Sequence, residues 1–272
     1  MAKSKISLNL NKKRKIAFVK KIGVIFVLVL FLISLFILFL TTEKIKIKKI
    51  EISGNLTVSD AEIISVVKKE LEEKYLWIIP TDNIFFLQRF EIQRDVFEGI
   101  KKIKNVKVVL DNFNILKIKV LERDSDSLWC LGSPDDPKDC YFMDGSGFIF
   151  SKAPDFTKNI FIKYYGFIFG DDPIGKNYFL EEKFREIKNF ISEIKKIGFE
   201  PELFFAIDEH QYEIIVLGDV KIMFDDKEGF SKNILKLNTL IENDYIKTNL
   251  ESISRIKHID LRYGNKVHYD FK

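Results

Sequence analysis

The chain has 272 residues, with 44 Lys and Arg against 40 Asp and Glu, so its formal net charge is +4. This length allows one or two domains that each bury a core. Eight of the 44 basic residues lie within the first 21 positions, which leaves the rest of the chain at about −4. Such a balance argues against nucleic-acid binding by a basic domain face.

An apolar stretch runs from Ile22 to Leu40 and is interrupted only by Gly23 and Ser34. A helix needs roughly 20 apolar residues to cross a hydrocarbon layer of ~30 Å, so we predict a transmembrane helix over residues 22–42. A cleaved signal sequence is the alternative. Its apolar region is shorter and ends in a small-residue cleavage site, and no such site follows Leu40.

Basic residues on either side of this stretch predict its orientation. Those that follow it begin at Lys44 and are diluted by Glu43 and Glu51. Because Lys and Arg favour the cytoplasmic side, we expect residues 1–21 to form a cytoplasmic basic tail of a single-pass type II plasma-membrane protein. The tail also suits anionic lipid headgroups. Its basic residues are Lys3, Lys5, Lys12, Lys13, Arg14, Lys15, Lys20 and Lys21.

The first part of the exported region mixes strand and helix patterns. Isoleucines alternate along residues 45–52 with a slip of one position, which indicates a bulged strand. Ser59 and Glu62 form a capping box that begins a helix, and a second helix is predicted from Asn83 to about Ile100. Two alternating segments within residues 106–120 complete the order strand, helix, helix, strand, strand.

The second part is predicted to be rich in strands with flanking helices. Apolar stripes predict helices from about Leu180 to Ile197 and around residues 230–241. Gly218-Asp219 predicts a two-residue hairpin turn. Asp144-Gly145-Ser146-Gly147 also favours a hairpin turn, since an aspartic protease needs a second matching carboxylate segment that the sequence lacks.

Cys130 and Cys140 bracket a loop of turn-forming residues. Export would place them where disulfides persist, and a hairpin base can bring their Cβ atoms into bridging range. We therefore expect a loop-closing disulfide, with two buried free thiols as the alternative. Two cysteines supply too few ligands for a metal site, and we expect neither a metal nor a cofactor.

Catalytic motifs are not evident in the sequence. His210, His258 and His268 lie in a turn or in alternating strands, where a surface or half-buried histidine is the ordinary outcome. No G-x-S-x-G elbow, P-loop or H-E-x-x-H motif occurs. We expect a protein that is not an enzyme. A membrane-tethered extracytoplasmic hydrolase and a ligand-binding sensor stay open as alternatives.

Residues 258–271 predict a terminal hairpin that turns at Gly264-Asn265. We expect its second strand to lie at the edge of a sheet, because no later element follows it in sequence order. An exposed edge carries unpaired N–H and C=O groups to which another chain can add a strand. The alternative is a purely stabilising hairpin whose edge is blunted by Lys266, Asp270 and Lys272.

Four segments, together with Trp129, resemble the FtsQ/DivIB cell-division family in their order and spacing. They are the pattern at Ile50–Ile63, the strand end Leu121-Glu122-Arg123, residues 141–150 and Ile259–Val267. The resemblance implies an α+β fold with a single N-terminal transmembrane helix. A polypeptide-transport-associated (POTRA) domain of order β-α-α-β-β would occupy residues 43–123, and a β-domain with flanking helices residues 124–272.

The same resemblance implies a non-enzymatic scaffold at the division septum that helps to regulate septal peptidoglycan synthesis. Its partners would be small single-pass proteins like FtsB or DivIC, together with an FtsL-like protein. Septal peptidoglycan synthase proteins are candidate partners of the POTRA domain. Because POTRA domains also occur in secretion and outer-membrane assembly components, such a component is the alternative. The implied partner-contact residues are Arg262, Tyr263, Lys266, Val267, His268 and Tyr269.

Overall fold

The protein has a mixed α+β fold that divides into two compact units, Met1–Glu122 and Arg123–Lys272. We call them the N-terminal and C-terminal units. The structure is a computed structural model, and it describes residues 2–40, 42–72, 74–75, 79–80, 82–112, 114–156, 160–166, 168, 170, 172–242 and 255–272.

The first element is one long helix, α1 (Ala2–Leu40). Its part Phe18–Leu40 is 23 residues long and apolar, and it is 0% buried within the protein. By length and composition this part can cross a membrane, although a signal sequence near an N-terminus has the same properties. The helix begins well before Ile22, since no proline interrupts the basic tail. Thr41, within the predicted span, lies outside the described residues.

The N-terminal unit places two helices between its first strand and its last two, as predicted, but a small strand pair that was not predicted lies between the helices. The strands pair in the order β1-β5-β4, with β1 parallel to β5 and β5 antiparallel to β4. Apolar side chains from both helices and the sheet form one core. The elements are β1 (Lys49–Ser53), α2 (Asp60–Glu72), the small pair β2 (Lys74–Tyr75) and β3 (Ile79–Pro80), α3 (Arg89–Gly99), β4 (Ile103–Asp111) and β5 (Ile115–Glu122).

Two predicted boundaries in this unit were wrong. Residues Glu43–Ile45 form a short 3₁₀ helix and Lys46 makes an isolated bridge with Asn83, so the first strand begins only at Lys49. Helix α3 begins at Arg89 and not at Asn83. The cause is a local turn, in which the amide of Phe85 donates to the side-chain oxygen of Asn83 at 2.9 Å.

Glu122, the last residue of β5, holds the loop between β1 and α2. Its carboxylate accepts hydrogen bonds from the amides of Leu56, Thr57 and Val58 at 2.6, 3.0 and 2.9 Å. It also accepts one from the Thr57 hydroxyl at 2.6 Å. Burial on its own would raise the pKa of Glu122, but these hydrogen bonds outweigh burial and lower the pKa from 4.5 to about 2.

We expect Glu122→Gln to destabilise this loop by about 1–3 kcal/mol, because a neutral amide accepts these hydrogen bonds more weakly. The pKa of Glu122 is lower in the folded than in the unfolded protein, so its stabilisation is fully present above pH 4.5 and lost as the pH falls from 4.5 towards 2. Hydrogen exchange of residues 54–60 in the full chain at pH 7 and pH 3 measures both effects. An equal loss of protection in Glu72→Gln, a change at an exposed residue, would contradict the role assigned to the Glu122 carboxylate.

The C-terminal unit is built on one sheet that has nine strands among the described residues, in the order β14-β13-β12-β11-β10-β9-β6-β7-β8. Neighbours are parallel at β6–β9, β9–β10 and β12–β13 and antiparallel elsewhere. The elements are β6 (Ser127–Ser133), β7 (Asp136–Met143), β8 (Ile149–Lys152), β9 (Lys163–Tyr165), α4 (Glu181–Lys196), β10 (Pro201–Ala206), β11 (Gln211–Val216), β12 (Val220–Asp225), α5 (Phe230–Ile241), β13 (Ile256–Tyr263) and β14 (Lys266–Phe271).

The two faces of this sheet differ. One face, which we call the helix face, packs with α4 and α5 over an aromatic core that includes Phe204, Tyr212 and Phe224. Neighbours of Phe204 in the strand, Leu203 and Phe205, point to the other face and belong to a smaller apolar cluster. The predicted hairpins β7–β8 and β11–β12 and the predicted helix α4 are confirmed. The turn between β11 and β12 has three residues, 217–219, and not the predicted two, because Val216 pairs with Val220.

Candidate functional site at the C-terminal edge strand

Strand β14 lies at one end of the sheet order, as the sequence predicted. It pairs antiparallel with β13, and no other described strand pairs with its outer side. Glycine at position 264 has φ +56° in the turn that joins the two strands, a conformation that favours glycine. The hairpin thus presents a six-residue edge, Lys266–Phe271.

The backbone of β14 alternates between its partner strand and the outer side. The amide of Lys272 donates to the carbonyl of Arg255 at 2.7 Å, so position 272 points towards β13. In an antiparallel ladder every second residue points the same way, which turns His268 inward and Val267, Tyr269 and Phe271 outward. The β13 side carries the extra residues of both register shifts, so most of β14 keeps this alternation.

Side chains of β14 also alternate between the two faces. Val267 and Tyr269 are half-buried against the aromatic core on the helix face. Lys266, His268 and Asp270 are exposed on the opposite face, and Asp270 lies 3.5 Å from His258 of the neighbouring strand. An added strand would therefore meet an apolar row on one side and a charged row on the other.

Arg262 lies beside this edge but is engaged within the protein. Its Nε and one terminal nitrogen donate to the two carboxylate oxygens of Asp260 at 2.9 and 2.6 Å. The other terminal nitrogen donates to the side-chain oxygen of Gln211 at 2.8 Å. Met223 Sδ lies 3.6 Å from the terminal nitrogen that donates to Asp260. The guanidinium thus joins β13 to β11 and β12, which makes it a positioning group for the hairpin.

The ion pair between Asp260 and Arg262 shifts the pKa values of both side chains. Burial would raise the pKa of Asp260, which is 5% exposed, but the hydrogen bonds from Arg262 outweigh burial and lower it. The hydrogen bond to Asp260 raises the pKa of Arg262 against the opposing effect of burial. Sequence reasoning named Arg262 and missed Asp260, although two charged residues at positions i and i+2 of a strand share one face.

Aromatic rings flank the edge at both ends. Tyr263, which is 57% exposed, contacts His268 across the turn with ring centroids 4.8 Å apart. Tyr269 contacts Phe271 at 5.6 Å. Phe271 is 40% exposed and was not among the predicted contact residues, although it continues the same alternation. Exposed aromatic side chains are favourable contacts at protein interfaces.

Cys130 and Cys140 are joined by a disulfide, with Cα atoms 4.0 Å apart. They lie directly opposite each other in the β6–β7 ladder, within the smaller apolar cluster. The bond closes the loop between these two strands, at the part of the sheet remote from β14 in strand order.

The polar residues considered for catalysis have local partners. Asp144 accepts hydrogen bonds from the amide and hydroxyl of Ser146 and from the amide of Phe148, and it pairs with Arg123 at 2.6 Å. His210 Nδ1 lies 2.9 Å from Asp226. Within the described ranges, no group of three His, Cys, Asp or Glu side chains could hold a metal ion.

No protein-family model matches this chain, and no curated protein matches it. We therefore base the functional proposal on the geometry of β14 and its neighbours. That geometry offers backbone hydrogen bonding to a second chain in extended conformation.

Proposed function

We propose that this protein is a non-enzymatic, membrane-anchored scaffold that binds another protein by adding one of its strands to β14. The observation that carries the proposal is the edge position of β14, whose outer side pairs with no described strand. An apolar row at Val267 and Tyr269 and the exposed ring of Phe271 would give the added strand its register and selectivity.

The resemblance to the FtsQ/DivIB family supplies the partner in this proposal. Apart from the small pair β2–β3 between its helices, the N-terminal unit has the order strand, two helices, two strands that we expect of a POTRA domain, and the C-terminal unit is rich in strands with flanking helices. The partners would be FtsB- or DivIC-like and FtsL-like single-pass proteins at the division septum. Septal synthase proteins would bind the POTRA domain, and the assembly would regulate septal peptidoglycan synthesis.

Membrane anchoring is the second part of the proposal. Phe18–Leu40 would cross the plasma membrane once, and the basic residues before it would keep the N-terminus in the cytoplasm. The part of the N-terminal unit that follows Leu40 and the whole C-terminal unit would then lie outside the cytoplasm, where the Cys130–Cys140 disulfide persists. Anchoring confines binding to the membrane surface, which raises the effective concentration of single-pass partners.

The test of edge pairing separates a backbone contribution from a side-chain contribution at Val267. Val267→Pro removes an outward amide without removing a bond to β13, whereas Val267→Ala keeps the amide. We expect Val267→Pro to weaken binding of the purified FtsB/DivIC-like and FtsL-like proteins of the same organism at least tenfold. Val267→Ala should weaken it by less than threefold. Titration of the full chain in nanodiscs measures both.

A photo-crosslinking amino acid gives a second readout that does not depend on a proline. Placed at Phe271, whose amide points outward, it should crosslink to the partner. At Leu180, which is 83% exposed and precedes α4, it should not. Wild-type affinity of Val267→Pro together with no crosslink from position 271 would place the docking site elsewhere.

A further inference from the structure

The end of the apolar helix is hydrogen-bonded to a loop of the N-terminal unit that lies far from it in sequence. The side-chain amide of Asn83 donates to the carbonyl of Leu40 at 2.6 Å, and Asn83 is 0% exposed. Carbonyls in the last turn of a helix lack partners within the helix. Asn83 therefore fixes residues 82–86, which we call the junction loop, against the last turn of α1.

Backbone hydrogen bonds hold the same loop to the chain that leaves the helix. The amide of Ile84 donates to the carbonyl of Ile45 at 3.0 Å, and the amide of Ile47 donates to that of Asp82 at 2.9 Å. Leu40 is 3% exposed beneath this contact. The connection between helix and unit is thus a paired segment and not a free linker, and it sets the height of the junction loop relative to the helix end.

Phe85 is the exposed apolar side chain of the junction loop. It is 64% exposed, and its amide is held by the side-chain oxygen of Asn83. Two residues span at most about 7 Å, so Phe85 lies close to the last turn of the apolar helix. A single exposed apolar residue is ordinary on a protein surface, but this one lies where a membrane-crossing helix would leave the hydrocarbon layer.

We propose that the junction loop rests on the extracytoplasmic surface of the bilayer, with the Phe85 ring inserted among the lipids at the interface. This inference rests on the proposed membrane crossing of Phe18–Leu40. The occupant of the Phe85 surface is lipid, because this surface lies next to a helix end that would itself be in lipid. Leu38 and Phe39 at that end are 62% and 53% exposed. The contact would fix the orientation of the N-terminal unit on the membrane.

Depth measurement by spin labelling tests the inference on the full chain in nanodiscs of phosphatidylcholine and phosphatidylglycerol. One cysteine at a time is introduced by Phe85→Cys, Leu56→Cys or Phe31→Cys and labelled with a nitroxide. Leu56 is the matched control, because it is 89% exposed in the same unit but lies beyond the far end of β1. Power saturation compares access of oxygen and of a water-soluble nickel chelate.

We expect the oxygen-to-nickel ratio at position 85 to exceed that at position 56 by at least threefold. Equal ratios at 85 and 56, with position 31 protected from nickel, would overturn the inference alone. Nickel access at position 31 equal to that at 56 would overturn the membrane crossing, and the inference with it.

Removal of the hydrogen bond tests how the loop is held. In Asn83→Ala the ratio at position 85 should fall towards that at 56 while the ratio at 31 is unchanged. Asn55→Ala is the matched control, since Asn55 donates to Val58 and Asp60 in the loop at the other end of β1. An unchanged ratio at 85 in Asn83→Ala, or an equal fall in Asn55→Ala, would overturn the role of Asn83.

Discussion

Asp144→Ala should lower the free energy of unfolding of the C-terminal unit by about 3–5 kcal/mol, because breaking a buried ion pair leaves a buried charge uncompensated. Asp144 is 3% exposed, and the side chain of its partner Arg123 is 9% exposed. The change also removes three hydrogen bonds that shape the β7–β8 turn. Burial would raise the pKa of Asp144, but its donors outweigh burial and lower it.

Hydrogen exchange across β7 and β8 in the full chain measures this loss, with the exposed residue change Asp155→Ala as the control. A loss below about 1 kcal/mol in Asp144→Ala would contradict a structural role. Asp144→Asn keeps the shape of the side chain and tests the hydrolase alternative. Hydrolysis of peptidoglycan or peptide by the wild-type protein that disappears in Asp144→Asn would support that alternative.

The second large effect is expected at the Asp260–Arg262 pair. Asp260→Ala should destabilise the sheet around β13 by about 3 kcal/mol, and Arg262→Ala by a similar amount, since each leaves its partner uncompensated. The double variant should cost less than the sum of the two, by at least 1 kcal/mol, because the variants remove one shared interaction. Hydrogen exchange of β13 and β14 in the wild-type protein, the two single variants and the double variant gives the coupling energy.

Asp270→Ala is the matched control for this pair, because Asp270 has a side chain that is 71% exposed and lies 3.5 Å from His258. Such an exposed pair should contribute less than about 1 kcal/mol. Strict additivity of Asp260→Ala and Arg262→Ala would contradict the coupling. A coupled pair also means that weak partner binding by Arg262→Ala reports a displaced hairpin as well as any lost contact.

Elements with strong local patterns could be predicted from the sequence. The apolar stripe of α4 and a turn at Gly218-Asp219 each need only neighbouring residues. The structure confirms the helix and the place of the turn, although the turn has three residues and not two. The beginning of α3 at Arg89 was missed, because the Asn83 side chain stabilises a turn that competes with the helix. Periodicity alone carries no information on such a competition.

Features that depend on distant residues could not be predicted. Arg262 contacts Gln211 and Met223, which come from β11 and β12, and no local pattern links these positions. The bond between Asn83 and Leu40 likewise joins residues 43 apart in the chain. The edge position of β14 was predicted, but its outward backbone groups required the ladder geometry.

The short strand β9 joins two parts of the C-terminal sheet, and this has a consequence for the order of folding. This strand has three residues, Lys163–Tyr165, and it pairs in parallel with β6 on one side and β10 on the other. Parallel pairings of this kind close long loops of chain, and such closures are slow steps in folding. The antiparallel groups β6–β8, β10–β12 and β13–β14 should therefore form first as separate hairpin stacks. They should become one continuous ladder later in folding, when β9 pairs with β6 and β10 and when β12 pairs with β13.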